Sequence, residues 1–469
     1  MPATAREKPK PVLVPEYCKG CGRCIDACAR HCIDPGTEIH PATGLIPVHL
    51  NLEDCTACGL CFDACPEPYG LRPAWSEGEA PEPPVLIVPP HLLEPSAQAI
   101  ADEWLPLPES GALVTKGTYA SALGALLAGC RHVFGYPITP STEGAELMAK
   151  LLPDLQGVFL QAPSEVATVN MMYGCGGAGL RSMTFTSSPG FSLMLEGISY
   201  MIGAEVPGVF MNVMRGGPGL GNIAPEQADV KLACRGLGHG NTHAITLAPS
   251  TPQEMLDLTL LAFELSFKYR NPVVLLADGY LGQMTGKVEL PHRMLKPGLP
   301  AWAVYGDAAH RRNLISSIQL LEADLEAFNR HLNTKYARIA ENEQRADLFH
   351  CDDAEVLIVA CNTPARMAKG AVKTLRDAGW KVGLFRPLTL WPFPIHRLEP
   401  LVARARRIIV VEAGNGQIED EMRLALSHAG FAGSVAIENV RHFGGVLPQQ
   451  REIVDKVLGG AAVLEGVAS

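Results

Sequence analysis

Nine of the chain's 14 cysteines fall within its first 65 residues, and eight of them repeat one spacing. Cys18, Cys21, Cys24 and Cys28 are separated by two, two and three residues, and Cys55, Cys58, Cys61 and Cys65 follow the same rule. A region so dense in regularly spaced thiols folds around whatever those thiols hold. A disulfide-stapled module would also use many cysteines, but it belongs to an oxidising compartment. The start, MPATAREKPKPV, carries charge and no apolar stretch, so no secretory signal is expected. A zinc ribbon needs two Cys-x2-Cys pairs and leaves the third and fourth cysteine of each run unexplained. Thiolates in this pattern favour iron and sulfide.

The double run resembles that of bacterial two-cluster ferredoxins, in which the fourth cysteine of each run ligates the other cluster. The resemblance implies two [4Fe-4S] clusters. One would take Cys18, Cys21, Cys24 and Cys65; the other would take Cys55, Cys58, Cys61 and Cys28. Short loops would aim backbone N–H groups at the sulfur atoms. Ala29 stands where proline normally follows the fourth cysteine, while Pro66 keeps it. Proline is not a ligand, so both clusters are still expected. Cys32 is expected to be a core residue and not a ligand.

The remaining sequence has the composition of a large globular body. Of the 469 residues, 47% are hydrophobic and 19% charged, enough for a sizeable core and for three or four domains. A net charge of −10 opposes a nucleic-acid partner. No 18-residue apolar run is present to span a membrane, and a soluble cytoplasmic protein is expected. Composition divides the chain into residues 1–80, an α+β ferredoxin domain; 81–110, a proline-rich linker; 111–295, an α/β domain; 296–350, a helical connection; and 351–469, a second α/β domain. HVFGYP, SMTFTSS, GVFMNVMR and PVVLLADG read as buried parallel strands because they are almost continuously apolar. TYASALGALLAG and PSEVATVNMMYGCGGAG read as helices that end at glycine. The second domain repeats the alternation in AEVLIVAC, PARMAKGAVKTLRDAG, RRIIVVEAG and GQIEDEMRLALSHAG. Residues 310–347 are charged and contain no Gly or Pro, as one or two exposed amphipathic helices would.

Several blocks after residue 115 occur together and in order: YPITPST, SEVAT, TFTSSPGFSLMLEGISY, VFMNVMRGGPG, VLLADGYLGQM, GLFRPLTLWPFP and VEAGNGQIEDEM. They resemble the alpha subunit of 2-oxoacid:ferredoxin oxidoreductases over residues 115 to about 460. The resemblance implies a first α/β domain that binds the pyrimidine half of thiamine diphosphate and a second, transketolase-C-terminal-like α/β domain. Glu165 matches the family's glutamate against the pyrimidine ring nitrogen, where burial would let it share a proton with the ring. On pattern alone it is an N-terminal-turn glutamate facing its helix dipole. Arg215 and Thr139 match the family's substrate-contacting pair. The guanidinium suits a carboxylate and the hydroxyl suits a developing oxyanion. Pro137 and Ile138 would line the cofactor. Gly174 to Gly179 satisfies GxGxxG, but it closes a helix instead of opening one, so it reads as a tightly packed helix exit and not a nicotinamide site.

The family's Gly-Asp-Gly magnesium motif is missing; the nearest string is ADGYLGQ at 277–283. The resemblance therefore implies a beta subunit that supplies Mg²⁺, the diphosphate half of the thiamine site and a further cluster. It also implies a gamma subunit, coenzyme A as co-substrate, and a soluble ferredoxin or other electron acceptor. The activity implied is CoA-dependent oxidative decarboxylation of a 2-oxoacid, with electrons leaving through the clusters. The stretch from NLISSIQ to the helix PARMAKGAV is similar to branched-chain (2-ketoisovalerate) alpha subunits, a sign of lineage and not of pocket chemistry. The alternative is an electron-transfer adaptor whose α/β part is a non-catalytic scaffold.

Overall fold

The computed structural model describes residues 9–67, 70–74, 97–109 and 111–467. The chain divides into two compact units, Met1–Ile87 and Val88–Ser469.

In the first unit the two cysteine runs build matching turns. Gly22 and Gly59, at φ +78° and +88°, cap the five-residue helices Arg23–Ala27 and Leu60–Ala64. That left-handed backbone is one that only glycine adopts without strain. The strands Pro11–Leu13 and Leu71–Pro73 pair antiparallel, as do Ile33–Asp34 and His49–Leu50. Cys24, Ile33, Val48, Cys61 and Leu71 form the buried centre, a small core for a unit that the thiols' cargo is expected to complete.

The second unit is built on two sheets. The larger has seven strands in the spatial order Thr389–Trp391, Ile245–Leu247, Pro272–Asp278, Gly208–Met214, Ser182–Thr186, His132–Gly135 and Val158–Gln161. Every pairing is parallel except that of Ile245–Leu247 with Thr389–Trp391. The strands Ser182–Thr186, Gly208–Met214 and Pro272–Asp278 are buried at every position. Helices cover both faces, which is why the apolar residues run continuously and do not alternate. Phe185, Phe191, Phe210 and Phe263 are fully enclosed in this core; truncating one to alanine costs about 3–5 kcal/mol.

The smaller sheet has the order Ala346–Phe349, Val382–Pro387, Val356–Val359, Arg407–Ala413 and Ala436–His442, with only the first pairing antiparallel. Its helix Asn362–Asp377 contains the segment expected from PARMAKGAVKTLRDAG.

The structure departs from expectation in three places. Part of the segment expected to be linker forms a strand: Glu103–Pro106 pairs with Arg293–Lys296, and the neighbouring Leu113–Lys116 pairs with Thr285–Val288. Residues 75–96, the bulk of that segment, lie outside the described residues. The stretch expected to hold one or two helices holds one, Glu322–Asn342, after a short turn at His310–Arg312; the departure is at its end, where Ala346–Phe349 joins the smaller sheet. Finally, Thr389–Trp391 leaves the C-terminal domain and adds an antiparallel edge strand to the larger sheet. Trp391 stacks on His243 at 4.6 Å and meets Tyr336 edge-on at 5.8 Å, locking that strand in place.

Candidate active site

In an open parallel sheet, ligands bind beyond the carboxyl ends of the strands, where the order of connection reverses. In the larger sheet that point lies between His132–Gly135 and Ser182–Thr186, because the chain leaves the first for Val158–Gln161 and returns on the other side. The residues expected to carry chemistry collect at these strand ends.

Glu165 is the first residue of the helix Glu165–Gly177, which follows the edge strand. Ser164 caps that helix, its Oγ accepting the Ala167 N–H at 3.2 Å. Glu165 is 5% exposed, and no described residue gives its carboxylate a hydrogen bond or a cation. Gly190, in the facing helix Ser188–Leu193, explains how the carboxylate fits. A Cβ on Gly190 would lie 2.5 Å from Glu165 Oε1 and 2.4 Å from Thr186 Oγ1. Any side chain there would drive both away.

Arg215 follows the strand Gly208–Met214 and is 6% exposed. Its Nη1 donates to the Thr139 carbonyl at 2.8 Å and its Nη2 to the Leu220 carbonyl at 3.1 Å. The structure therefore joins Arg215 to the YPITPST turn, where Pro137 and Thr139 are exposed and Ile138 is half-buried. The contact uses the Thr139 carbonyl and not its hydroxyl. Ser141 Oγ donates back to the Ile138 carbonyl at 2.8 Å and stiffens the turn.

Sequence reasoning missed the residues beneath this pair. Ser188 Oγ donates to Asp229 Oδ2 at 2.5 Å and accepts the Arg215 N–H at 3.1 Å. Asn212 Nδ2 reaches the same Asp229 oxygen at 2.9 Å. Burial pushes the Asp229 carboxyl up, against these donors and the nearby Arg215 charge. The one signal available was Asn212, a lone amide inside the apolar run GVFMNVM. Thr186 Oγ1, Ser187 Oγ, Asn212 Oδ1 and Arg215 Nε are buried atoms without a partner among the described residues. Buried polar atoms are nearly always satisfied, so a run of orphans beside an unpaired carboxylate fits a polar ligand that completes them.

Asp278 of ADGYLGQ behaves differently. It is fully buried and already committed: Oδ1 accepts the Leu281 N–H and the Thr363 hydroxyl, and Oδ2 accepts the Thr363 N–H, all at 2.8–2.9 Å. It clamps the two domains together. Gly174 to Gly179 forms the end of the Glu165 helix, with Gly179 at φ +75°. A Cβ on Gly176 would lie 2.3 Å from the Pro207 carbonyl, so the glycines serve close packing.

In the first unit, Cys24 has Cys65, Cys18 and Cys21 as electrostatic neighbours, and burial pushes its thiol up to about 11. Burial likewise raises the Cys61 thiol, with Cys55, Cys58 and Cys28 around it. These neighbours are the same residues that the ferredoxin resemblance groups into its two crossed sets. No group of three or more such side chains converges on a single ion among the described residues. A four-iron cluster does not require that, since each thiolate holds a different iron. Backbone N–H groups already approach the sulfurs, Val48 to Cys18 Sγ at 3.4 Å and Cys32 to Cys28 Sγ at 3.2 Å. The donor chemistry fits a cluster.

Family models match all three regions. Residues 17–68 match a 4Fe-4S dicluster domain. Residues 123–323 match the thiamine-diphosphate-binding domain of pyruvate flavodoxin/ferredoxin oxidoreductase, and 354–453 match core domain II of pyruvate:ferredoxin oxidoreductase. The ketoisovalerate oxidoreductase subunit VorB of Methanothermobacter thermautotrophicus is 46% identical over 346 residues, 73% of this chain and 96% of that one. The chain belongs to the 2-oxoacid:ferredoxin oxidoreductases, as an alpha subunit. The 2-oxoglutarate synthase subunit KorA of Methanocaldococcus jannaschii is 34% identical to this alpha subunit, over 73% of it and 98% of the relative. A solved 2-oxoglutarate:ferredoxin oxidoreductase from Magnetococcus marinus, with 2-oxoglutarate, coenzyme A and succinyl-CoA bound, superposes with a TM-score of 0.66 at 25% identity. It covers 74% of this alpha subunit, which spans 65% of that structure's chain. No helix among the described residues is long and apolar enough to cross a membrane.

Proposed function

We propose that this alpha subunit carries the pyrimidine-side half of a thiamine diphosphate site and an electron exit of two [4Fe-4S] clusters. Its reaction is the CoA-dependent oxidative decarboxylation of a branched-chain 2-oxoacid to an acyl-CoA and carbon dioxide. The observation that carries the reading is Glu165, a carboxylate that is 5% exposed and has no partner among the described residues. A buried unpaired charge is costly, and a pyrimidine ring nitrogen that shares its proton removes the cost. Bound thiamine diphosphate supplies the nucleophilic carbon for attack on the 2-oxo group and a sink for the electron pair left when carbon dioxide departs. Glu165 holds or returns a proton at the ring nitrogen. Arg215 directs its unused guanidinium N–H groups at the substrate carboxylate, and the Thr139 hydroxyl faces the 2-oxo oxygen. Pro137 and Ile138 hold that turn against the cofactor. Cys18, Cys21, Cys24 and Cys65 would hold one cluster and Cys55, Cys58, Cys61 and Cys28 the other, and the clusters would supply the electron exit.

A beta subunit would bring Mg²⁺ and the diphosphate half. Two features support that partner. Asp278 is unavailable to a metal, and Leu160, Val166, Leu193 and Tyr200 are exposed on the elements that bracket Glu165, an apolar surface of the kind that marks an interface. A gamma subunit and a ferredoxin-type acceptor complete the assembly. The branched-chain assignment rests on the 46% identity to a ketoisovalerate oxidoreductase subunit.

The test is anaerobic. The chain, purified with its co-eluting subunits, is supplied with thiamine diphosphate, CoA and a panel of 2-oxoacids while viologen reduction is followed. The expected result is CoA-dependent reduction with the highest kcat/KM for 2-ketoisovalerate. A preference for 2-oxoglutarate overturns the substrate assignment. No reduction with any acid, from a complex with intact clusters and bound thiamine diphosphate, leaves the electron-transfer adaptor as the better account.

A further inference from the structure

The segment between Arg215 and the helix Val230–Arg235 is fastened at an unexpected place. Glu226 is 6% exposed, and its Oε2 accepts two backbone N–H groups: Gly217, two residues after Arg215, at 3.2 Å, and Gly444 of the C-terminal domain at 2.9 Å. Asn222 adds a second tie to the same glycine, its Nδ2 donating to the Gly444 carbonyl at 3.0 Å. The two loops touch so closely that a Cβ on Gly445 would lie 2.4 Å from that of Ala224. No described cation pairs with Glu226. Within the loop, Arg215 forms a bridge with Pro225 and holds the Leu220 carbonyl. One carboxylate oxygen thus ties the backbone beside Arg215 to a domain that supplies no other expected part of the site.

We infer that Glu226 is a positioning residue for the 2-oxoacid: it anchors the Arg215 loop to Gly444, so that the guanidinium meets the substrate carboxylate in a single orientation. The inference rests on the assignment of Arg215 as the substrate arginine. Loss of the anchor lets the loop move as a unit. The substrate carboxylate feels this most, because a bidentate clamp is sensitive to angle.

The experiment uses the assembled oxidoreductase and measures kcat together with the KM of the 2-oxoacid and of CoA. Glu226→Ala is expected to raise the 2-oxoacid KM by about tenfold or more, with kcat and the CoA KM within about twofold. Glu226→Gln keeps an acceptor oxygen at the same reach and should stay near the parent values. Thr363→Val cuts a different contact between the same two domains; it should lower the thermal midpoint without moving either KM. Equal changes in both KM values for Glu226→Ala, or no change, overturn the inference. If that variant fails to assemble, Glu226→Asp takes its place, since its shorter arm draws the oxygen back from both amides; an unchanged 2-oxoacid KM there overturns the inference as well. Arg215→Lys in the same assay separates the two claims. A KM that ignores Arg215→Lys removes the arginine assignment. A KM that responds to Arg215→Lys but to none of the Glu226 variants removes only the role of Glu226.

Discussion

The two parallel sheets of this alpha subunit meet their ligand-binding ends in opposite conditions. In the larger sheet the strand ends leave Thr186, Ser187, Asn212 and Arg215 with buried atoms that lack a partner among the described residues, beside Glu165, which has none there either. In the smaller sheet the connection reverses between Val356–Val359 and Arg407–Ala413, and a ligand would be expected there too. The place is taken by Gln227. Its Nε2 donates to the Cys361 carbonyl at 3.2 Å and to Asn362 Oδ1 at 3.0 Å, while its Oε1 accepts the Ala413 N–H at 2.9 Å. A side chain from the catalytic domain fills the crevice of its neighbour. The same architecture becomes a site in one domain and a joint in the other, according to what its strand ends leave unsatisfied.

The comparison can be broken most forcefully at Glu165. Glu165→Ala should lower 2-oxoacid-dependent viologen reduction by about 10²–10⁴-fold while the cluster EPR spectrum stays intact; parent-like turnover would place the chemistry elsewhere. Gln227→Ala removes the plug and leaves its donors and acceptors without a protein partner. A loss of about 2–3 kcal/mol is expected, read as a lower midpoint in denaturant, with the Glu165 site still binding thiamine diphosphate.

Glu412, at the same joint, sharpens the contrast through pH. It is fully buried, its Oε2 accepts the Ile418 N–H at 3.0 Å, and its Oε1 has no partner among the described residues. Burial pushes its carboxyl from 4.5 up to about 7. A raised acid favours the folded state when protonated. Its contribution is therefore complete below the unfolded value and is lost as pH rises through about 7, up to about 3 kcal/mol in all. Thermal midpoints compared at pH 6 and pH 8 should fall for the parent chain and flatten for Glu412→Gln. The smallest effect is expected at Thr186. Thr186→Val keeps the shape and removes the orphan hydroxyl, so stability should hold while the affinity for thiamine diphosphate drops by about three- to tenfold in a titration of the apo complex.

Much of this was visible in the residues themselves. Continuous apolar runs such as GVFMNVM announced strands buried on both faces, and the crossed cysteine sets are what the resemblance to two-cluster ferredoxins implies. Glu165, Arg215 and Thr139 stood out through the family resemblance; on pattern alone Glu165 is an ordinary first-turn glutamate. What stayed hidden depends on contacts between distant segments. Nothing in the string TLW says that it pairs with Ile245–Leu247, because a three-residue strand owes its existence to its partner. Gln227 and Glu226 look like ordinary polar loop residues in APEQAD; their roles come from Ala413 and Gly444, far along the chain. Nothing in the string ADGYLGQ says that Thr363 occupies both oxygens of Asp278.

That borrowed edge strand also bears on how the molecule comes into being. The larger sheet is complete only when Thr389–Trp391 arrives, after the whole connection and three of the smaller sheet's five strands have been made. On the ribosome the catalytic half must wait with one margin bare. A gene divided between residues 295 and 389 would yield a front half whose sheet ends in an unpaired border, ready to stick to a stranger.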